Sequence, residues 1–332
     1  MTDAERSFVH RPVMLDEIVE VFTTVPAGVV LDATLGGGGH AEALLERRPD
    51  LQVLGIDRDP QAVAAATARL ERFGPRFRAV HARFDDLATI MTTDQIPRPE
   101  IHDEIDDGLS GALFDLGVSS PQLDQADRGF SFRQSGPLDM RMDQTAPWSA
   151  TDVVNGYDAD DLARVIRRYG DERFATRIAR AIIAARPIET TAELAAIVTT
   201  AIPAATRRRG GHPATRTFQA IRIEVNAELE ALPAALDQAI EATRPGGRIA
   251  VLSYHSGEDR IAKDRFRRAT GACDCPPGLP CVCGSVQTVR LVRGVPKRAS
   301  LEERAENPRA ASARLRVAER IEPRIGDDRD DR

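Results

Sequence analysis

The first chemistry in this sequence lies in Leu31-Asp-Ala-Thr-Leu-Gly-Gly-Gly-Gly-His40. Consecutive glycines let the backbone turn through positive φ and approach a ligand closely, which suits a nucleotide-like cofactor. Gly36, Gly38 and Ala41 satisfy a dinucleotide fingerprint, and Asp57 follows Gly36 by 21 residues, where a ribose-binding acid belongs. Asp32 discriminates between cofactors. A carboxylate just before the glycines repels a pyrophosphate, but it offsets the positive charge of a sulfonium that also carries an ammonium group, as in S-adenosylmethionine. A structural reading stands beside this one, in which Asp32 caps the glycine loop.

These groups need strands that end where they stand. The apolar run Val29 to Leu31 ends at Asp32, and the glycine turn opens a helical stretch over 40–48. A second run over 51–56 ends at Asp57, and Asp59 with Pro60 suits the start of a helix reaching Arg72. Strands are predicted near 77–81 and 112–116. After an interruption the rhythm resumes with a helix over 224–243, the turn Arg244-Pro-Gly-Gly247, a strand over 248–254, a helix over 257–269 and strands over 286–292 and 313–317. Alternation of this kind predicts an α/β fold, a doubly wound Rossmann-like sheet covered on both faces. The interruption carries amphipathic helical stretches over 160–169, 172–185 and 192–202 and no convincing strand, so it reads as an inserted all-helical domain. The expected division is a sheet domain over 1–124, the helical domain over 125–222, the rest of the sheet domain over 223–320, and a flexible tail over 321–332.

Composition narrows the function. At 42% hydrophobic and 29% charged residues, the chain is neither collagen-like nor wholly disordered. Its net charge of −6 denies it an overall basic footprint, so nucleic-acid binding needs a local surface. The stretch from Asp158 to Arg222 supplies one, with 12 Arg and no Lys against 7 acidic residues. A solvated helical exterior is the alternative there. The charged first residues do not form a signal peptide and no apolar run is long enough to span a bilayer, so a cytoplasmic protein is expected. Cys273, Cys275, Cys281 and Cys283 are confined to one segment: four thiolates can close a tetrahedral zinc site, or stand as reduced structural thiols.

Taken together, Asp32-Ala-Thr-Leu-Gly-Gly-Gly-Gly-His40, Asp115-Leu-Gly-Val-Ser-Ser-Pro-Gln122, Gly136-Pro-Leu-Asp-Met-Arg-Met-Asp143, His212-Pro-Ala-Thr-Arg-Thr-Phe-Gln-Ala220 with Arg222-Ile-Glu-Val-Asn226, Ser253-Tyr-His-Ser-Gly-Glu-Asp-Arg260 and Asn307-Pro-Arg-Ala310 resemble the RsmH family, also called MraW. The resemblance runs from about Phe8 to Arg320. It implies a class I methyltransferase sheet with an inserted helical domain, and S-adenosylmethionine-dependent methylation of cytidine N4 in the decoding region of bacterial small-subunit ribosomal RNA. It also implies cofactor contacts from Gly38, Gly39, His40, Asp57, Phe84, Asp115 and Gln122. The chain departs from the family at Tyr254 and Gly257, where Phe and Leu are expected, and this touches only local packing. An acidic stretch before the fourth strand reads as a surface loop extension.

Methyl transfer to an exocyclic amine needs in-line alignment and acceptors for the amine hydrogens. Asp115, Ser119 and Ser120 are the candidate acceptors, and Asp115 alternatively serves only the cofactor. His255, at a strand end, either touches the base or is structural. Phe130 and Phe132 either stack on an extruded base or pack internally. Arg207, Arg208, Arg209 and Arg216 are the candidate phosphate ligands, and the expected partner is ribosomal RNA within an assembled or nearly assembled small subunit. Three alternative functions remain: a methyltransferase acting on protein or a small molecule, an RNA-binding ribosome assembly factor with a retained cofactor pocket, and a nicotinamide oxidoreductase.

Overall fold

The computed structural model describes residues 11–92, 108–207, 211–273, 275 and 284–325. The chain divides into two compact units, Met1–Gly117 with Ala231–Arg332, and Val118–Glu230. The expected insertion, 125–222, lies inside the second.

The first unit is built on seven strands: β1 (Gly28–Asp32), β2 (Leu51–Asp57), β3 (Phe77–His81), β4 (Leu109–Asp115), β5 (Thr243–Ser253), β6 (Val286–Leu291) and β7 (Arg314–Ile325). Their spatial order is β3-β2-β1-β4-β5-β7-β6. β1 to β5 pair in parallel, and β7 lies antiparallel to both β5 and β6. Alternate residues of the central strands enter opposite layers, as the two-residue period of a strand requires. Leu31, Phe114 and Val251 point into one apolar cluster, and Val30, Leu113 and Leu252 into the other. Both faces are therefore buried, which is why these strands read as unbroken apolar runs. The sheet reverses direction of winding between β1 and β4, and ligands of such sheets bind at that switch, beyond the carboxyl ends of the strands.

Local chemistry fixes the ends of the elements. Asp59 caps the helix Pro60–Leu70 by accepting from Gln61 N at 3.0 Å, with Pro60 in the first turn. The register of β5 against β4 shifts between Leu109 and Gly111, the point taken up by Arg244-Pro-Gly-Gly247. β7 corrects the expected tail: residues 321–325 are strand, held by pairing such as Gln287 with Arg324. Its charged, Pro-containing sequence hid a ladder that only the partner strand reveals.

The second unit is helical, with a core that includes Leu138, Met140, Ile166, Ile178, Leu194 and Ile221. The expected single helix over 224–243 is two, Thr215–Asn226 and Glu228–Ala242, separated by Ala227 at φ 49°. Buried Asn226 stitches the unit together: its Oδ1 accepts from Met142 N at 2.9 Å and its Nδ2 donates to Met140 O at 2.8 Å. The buried guanidinium of Arg128 donates to the carbonyls of Arg141 and Met142 at 3.1 and 2.9 Å. The Gly136–Asp143 and Arg222–Asn226 motifs are thus one structural knot.

Among the described residues, no helix is long and apolar enough to cross a membrane and no group of three potential metal ligands is assembled. Cys275 N donates to Cys273 Sγ at 3.2 Å, while Cys281 and Cys283 lie outside the described residues.

Candidate active site

Three neighbouring strands each end in an aspartate: β1 in Asp32, β2 in Asp57 and β4 in Asp115. The strand order puts all three at the carboxyl edge around the switch point. The glycine bend crosses this edge. Leu35 N donates to Ile56 O at 3.0 Å, Gly38 N donates to Leu35 O at 2.8 Å, and the helix Gly39–Arg47 begins directly after. Gly38 has φ 75°, and a Cβ there would lie 3.0 Å from Leu70 Cδ1 and 3.2 Å from Ala66 Cβ. At Gly37 a Cβ would meet nothing within 4 Å, so the open side of the bend is there.

Asp57 locks the bend to β2. Its Oδ2 accepts from Gly36 N and its Oδ1 from Asp59 N, each at 2.8 Å. An ionised carboxylate offers about four lone-pair positions, so two remain for ribose hydroxyls. Asp32 is 1% exposed and accepts from Thr34 N at 3.2 Å. Burial pushes its carboxyl up to about 7, against the pull of His40 and the Thr34 N–H, while Asp115 and Asp57 push the same way as burial. Burial also raises Asp57, outweighing the two backbone N–H groups it accepts. Three acids gathered at one sheet edge suit a cationic ligand.

Asp115 is held from three sides. Its N–H donates to Thr34 Oγ1 at 2.6 Å, Tyr254 Oη donates to its Oδ1 at 2.7 Å, and buried His40 Nε2 lies 3.4 Å from its Oδ2. Burial and the adjacent Asp115 keep Tyr254 well above the ordinary tyrosine range, so it remains a donor. Neither ring nitrogen of His40 makes a hydrogen bond in the protein, so a buried imidazole faces the bend with polar capacity to spare. Phe84, just after β3, packs edge-on against Phe114 with ring centroids 6.2 Å apart, on the side beyond Asp57. Acids for ribose and sulfonium, a glycine approach, a polar imidazole and an aromatic wall fit S-adenosylmethionine.

His255 caps the helix Ser256–Ala269: its Nδ1 accepts from Gly257 N at 3.2 Å and its Nε2 lies 3.0 Å from Glu258 Oε1. Glu258 Oε2 in turn accepts from Tyr254 N at 2.7 Å. Asp259 is raised by burial, but Arg316 and Arg314 together outweigh that and hold it below the ordinary aspartate range. The Ser253–Arg260 motif therefore orders the end of β5. Sequence reasoning missed Thr34 and the Tyr254 hydroxyl, which reach Asp115 from 81 and 139 positions away with no local signal to mark them.

The remaining candidates belong to the helical unit. Ser119 N donates to the buried Gln122 Oε1 at 3.0 Å, which caps the helix Ser120–Asp124. Phe130 is buried in the helical core, and the Arg128 guanidinium lies over its ring at 5.8 Å. Phe132 stacks on His212 at 4.3 Å and meets Phe218 edge-on at 4.9 Å. Arg216 donates to Asp171 O at 3.0 Å. The side chains of Ser120 and Arg207, and the whole of Arg208 and Arg209, lie outside the described residues.

A doubly wound sheet closed by an antiparallel β7, with its ligand edge set for a sulfonium donor, defines a class I methyltransferase using S-adenosylmethionine. More narrowly, the chain belongs to the MraW methylase family, which matches it over residues 7–321. Relatives named "Ribosomal RNA small subunit methyltransferase H" agree along almost the whole length. The protein of Geobacter sulfurreducens is 48% identical over 320 residues, covering 95% of this chain and 100% of that one. That of Anaeromyxobacter sp. strain Fw109-5 is 50% identical over 320 residues, covering 95% and 98%. That of Kocuria rhizophila is 48% identical over 329 residues, covering 97% of each.

Proposed function

We propose that this enzyme methylates N4 of a cytidine in the decoding region of small-subunit ribosomal RNA, in the cytoplasm, on an assembled or nearly assembled subunit. The carrying observation is the Asp115 carboxylate, fixed by Tyr254 beside the glycine bend. The names and lengths of the relatives support the RNA substrate.

S-adenosylmethionine, when bound, supplies an electrophilic methyl group on a sulfonium. Asp57 accepts the ribose hydroxyls, and Asp32 in its ionised form offsets the donor's positive charge. Gly38, Gly39 and His40 border the bend, and Phe84 flanks the adenine. The cytosine amine is a poor nucleophile because its lone pair is delocalised into the ring. Asp115 accepts one of its N–H groups, which favours a localised lone pair and stabilises the positive charge that develops on nitrogen. Ser119 and Ser120 follow it in the sequence as the further candidate acceptors. His255 and Gln122 act by ordering the strand end and the loop that carry these acceptors. In the helical unit, Phe132 with His212 offers a stacking platform, Phe130 packs in the core of the unit, and the Arg207–Arg209 run with Arg216 grips phosphate.

The test is incubation with methyl-labelled S-adenosylmethionine and undermodified small subunits, followed by nucleoside analysis. Label is expected in N4-methylcytidine, more from subunits than from free rRNA. Tight RNA binding without turnover would favour an assembly factor, and label in protein or another nucleoside would overturn the assignment.

A further inference from the structure

The connection between β6 and β7 carries a basic strip to the same sheet edge as Asp115. β6 runs parallel to β5, since both lie antiparallel to β7, so the chain leaving Leu291 heads for the carboxyl edge. Two backbone bonds hold it along β7: Val292 N donates to Val317 O, and Leu315 N to Lys297 O, each at 3.1 Å. Leu315 pairs with Leu252 of β5, and Leu252 pairs with Asp115 of β4. Lys297 and Asp115 therefore stand on one rung, three strand spacings or roughly 14 Å apart.

The strip is anchored on one side and charged on the other. Val292, Val295 and Ala299 pack against the apolar layer beneath, while Arg293, Lys297 and Arg298 between them are exposed. No acidic residue occurs from Val292 to Ser300, and none of the three cations pairs with a described acid. Neighbouring arginines differ: Arg290 is held by Glu319, and Arg314 and Arg316 by Asp259. The edge is thus polarised. Its β2-β1-β4 half presents Asp57, Asp32 and Asp115, which attract a cationic donor and repel a phosphodiester. Its β7 half offers three exposed cations with no ion-pair partner among the described residues, in a chain that is acidic overall.

We propose that Arg293, Lys297 and Arg298 bind backbone phosphates of the substrate rRNA flanking the nucleotide held at Asp115. The inference deepens the rRNA reading above and rests on it. A strand entering over Asp115 is turned away from the acidic half and runs along the rung toward the strip.

The test compares wild type with the triple variant Arg293→Gln, Lys297→Gln, Arg298→Gln, and with Arg324→Gln, an exposed arginine toward the far end of β7. The triple variant is expected to raise KM for undermodified subunits about ten-fold and to shrink the log-affinity against log-salt slope for rRNA by about 2, with donor affinity kept within about two-fold. Arg324→Gln is expected to behave as wild type. An unchanged KM and slope in the triple variant, or an equal loss in Arg324→Gln, would overturn the proposal. So would a loss confined to whole subunits with naked rRNA binding intact, which points to a ribosomal protein. Wild type that methylates no rRNA removes the underlying reading; active wild type with an unaffected triple variant removes this inference alone.

Discussion

Tyr254 donates its hydroxyl to Asp115 Oδ1 across 2.7 Å, tying the end of β5 to the end of β4. The sequence reading gave this tyrosine a packing role only, and the structure corrects that. Tyr254→Phe keeps the ring and removes the donor. Phenylalanine is also the residue expected of the family here, so the ring packing is kept and kcat is expected to fall by less than about ten-fold while donor affinity changes little. In an Asp115→Asn background the same change should cost far less, because the two groups act as a unit. Equal losses in both backgrounds, or none in the first, would return Tyr254 to packing.

Asp32 predicts a pH dependence. Its folded carboxyl is pushed up from 3.8 to about 7, chiefly by burial. The donor-free native state therefore holds a proton that the unfolded chain has lost, so stability from this group is present below the lower value and is lost as pH rises through the upper. A cationic donor favours the ionised form. Donor affinity should climb up to about ten-fold per pH unit below 7 and level off above it, as calorimetric titration would show. Asp32→Asn should weaken binding and flatten the profile.

Gly37 and Gly38 separate two causes of loss. Gly38→Ala demands a left-handed alanine against Leu70 and Ala66, at a cost of about 1–2 kcal/mol, and should lower both Tm and donor affinity. Gly37→Ala adds a methyl into open space and should leave Tm within about 1 °C of wild type. If its donor affinity nonetheless falls about ten-fold, the methyl meets the donor. Undiminished affinity would move the donor off that side of the bend.

Asn226→Ala strips partners from the buried Met142 N–H and the Met140 carbonyl. Each unsatisfied group costs about 1–3 kcal/mol, so the helical unit should become sensitive to proteolysis and unfold at lower urea. Donor affinity, which depends on the sheet unit, is expected to persist. Loss of both together would mean that the two units fold as one.

The sheet was legible because buried parallel strands must be continuously apolar, so the runs ending at Asp32 and Asp57 declared both the strands and the acids. Alanine is a good helix former, so nothing local marked Ala227 as a break; its left-handed conformation comes from tertiary context. The second half of β7 was hidden for a related reason, since an edge ladder tolerates charge when a partner strand satisfies its backbone. At the site, the glycine bend carried its own signature. The Thr34 and Tyr254 contacts to Asp115 join residues 81 and 139 positions apart, and no local pattern encodes such pairs.

A crystal structure with S-adenosylhomocysteine tests the donor site most directly. The expected result has the ribose hydroxyls on Asp57 and the sulfur facing Asp115, beneath the bend from Gly36 to His40. A product lodged away from that bend, or with its sulfur turned from Asp115, would contradict it.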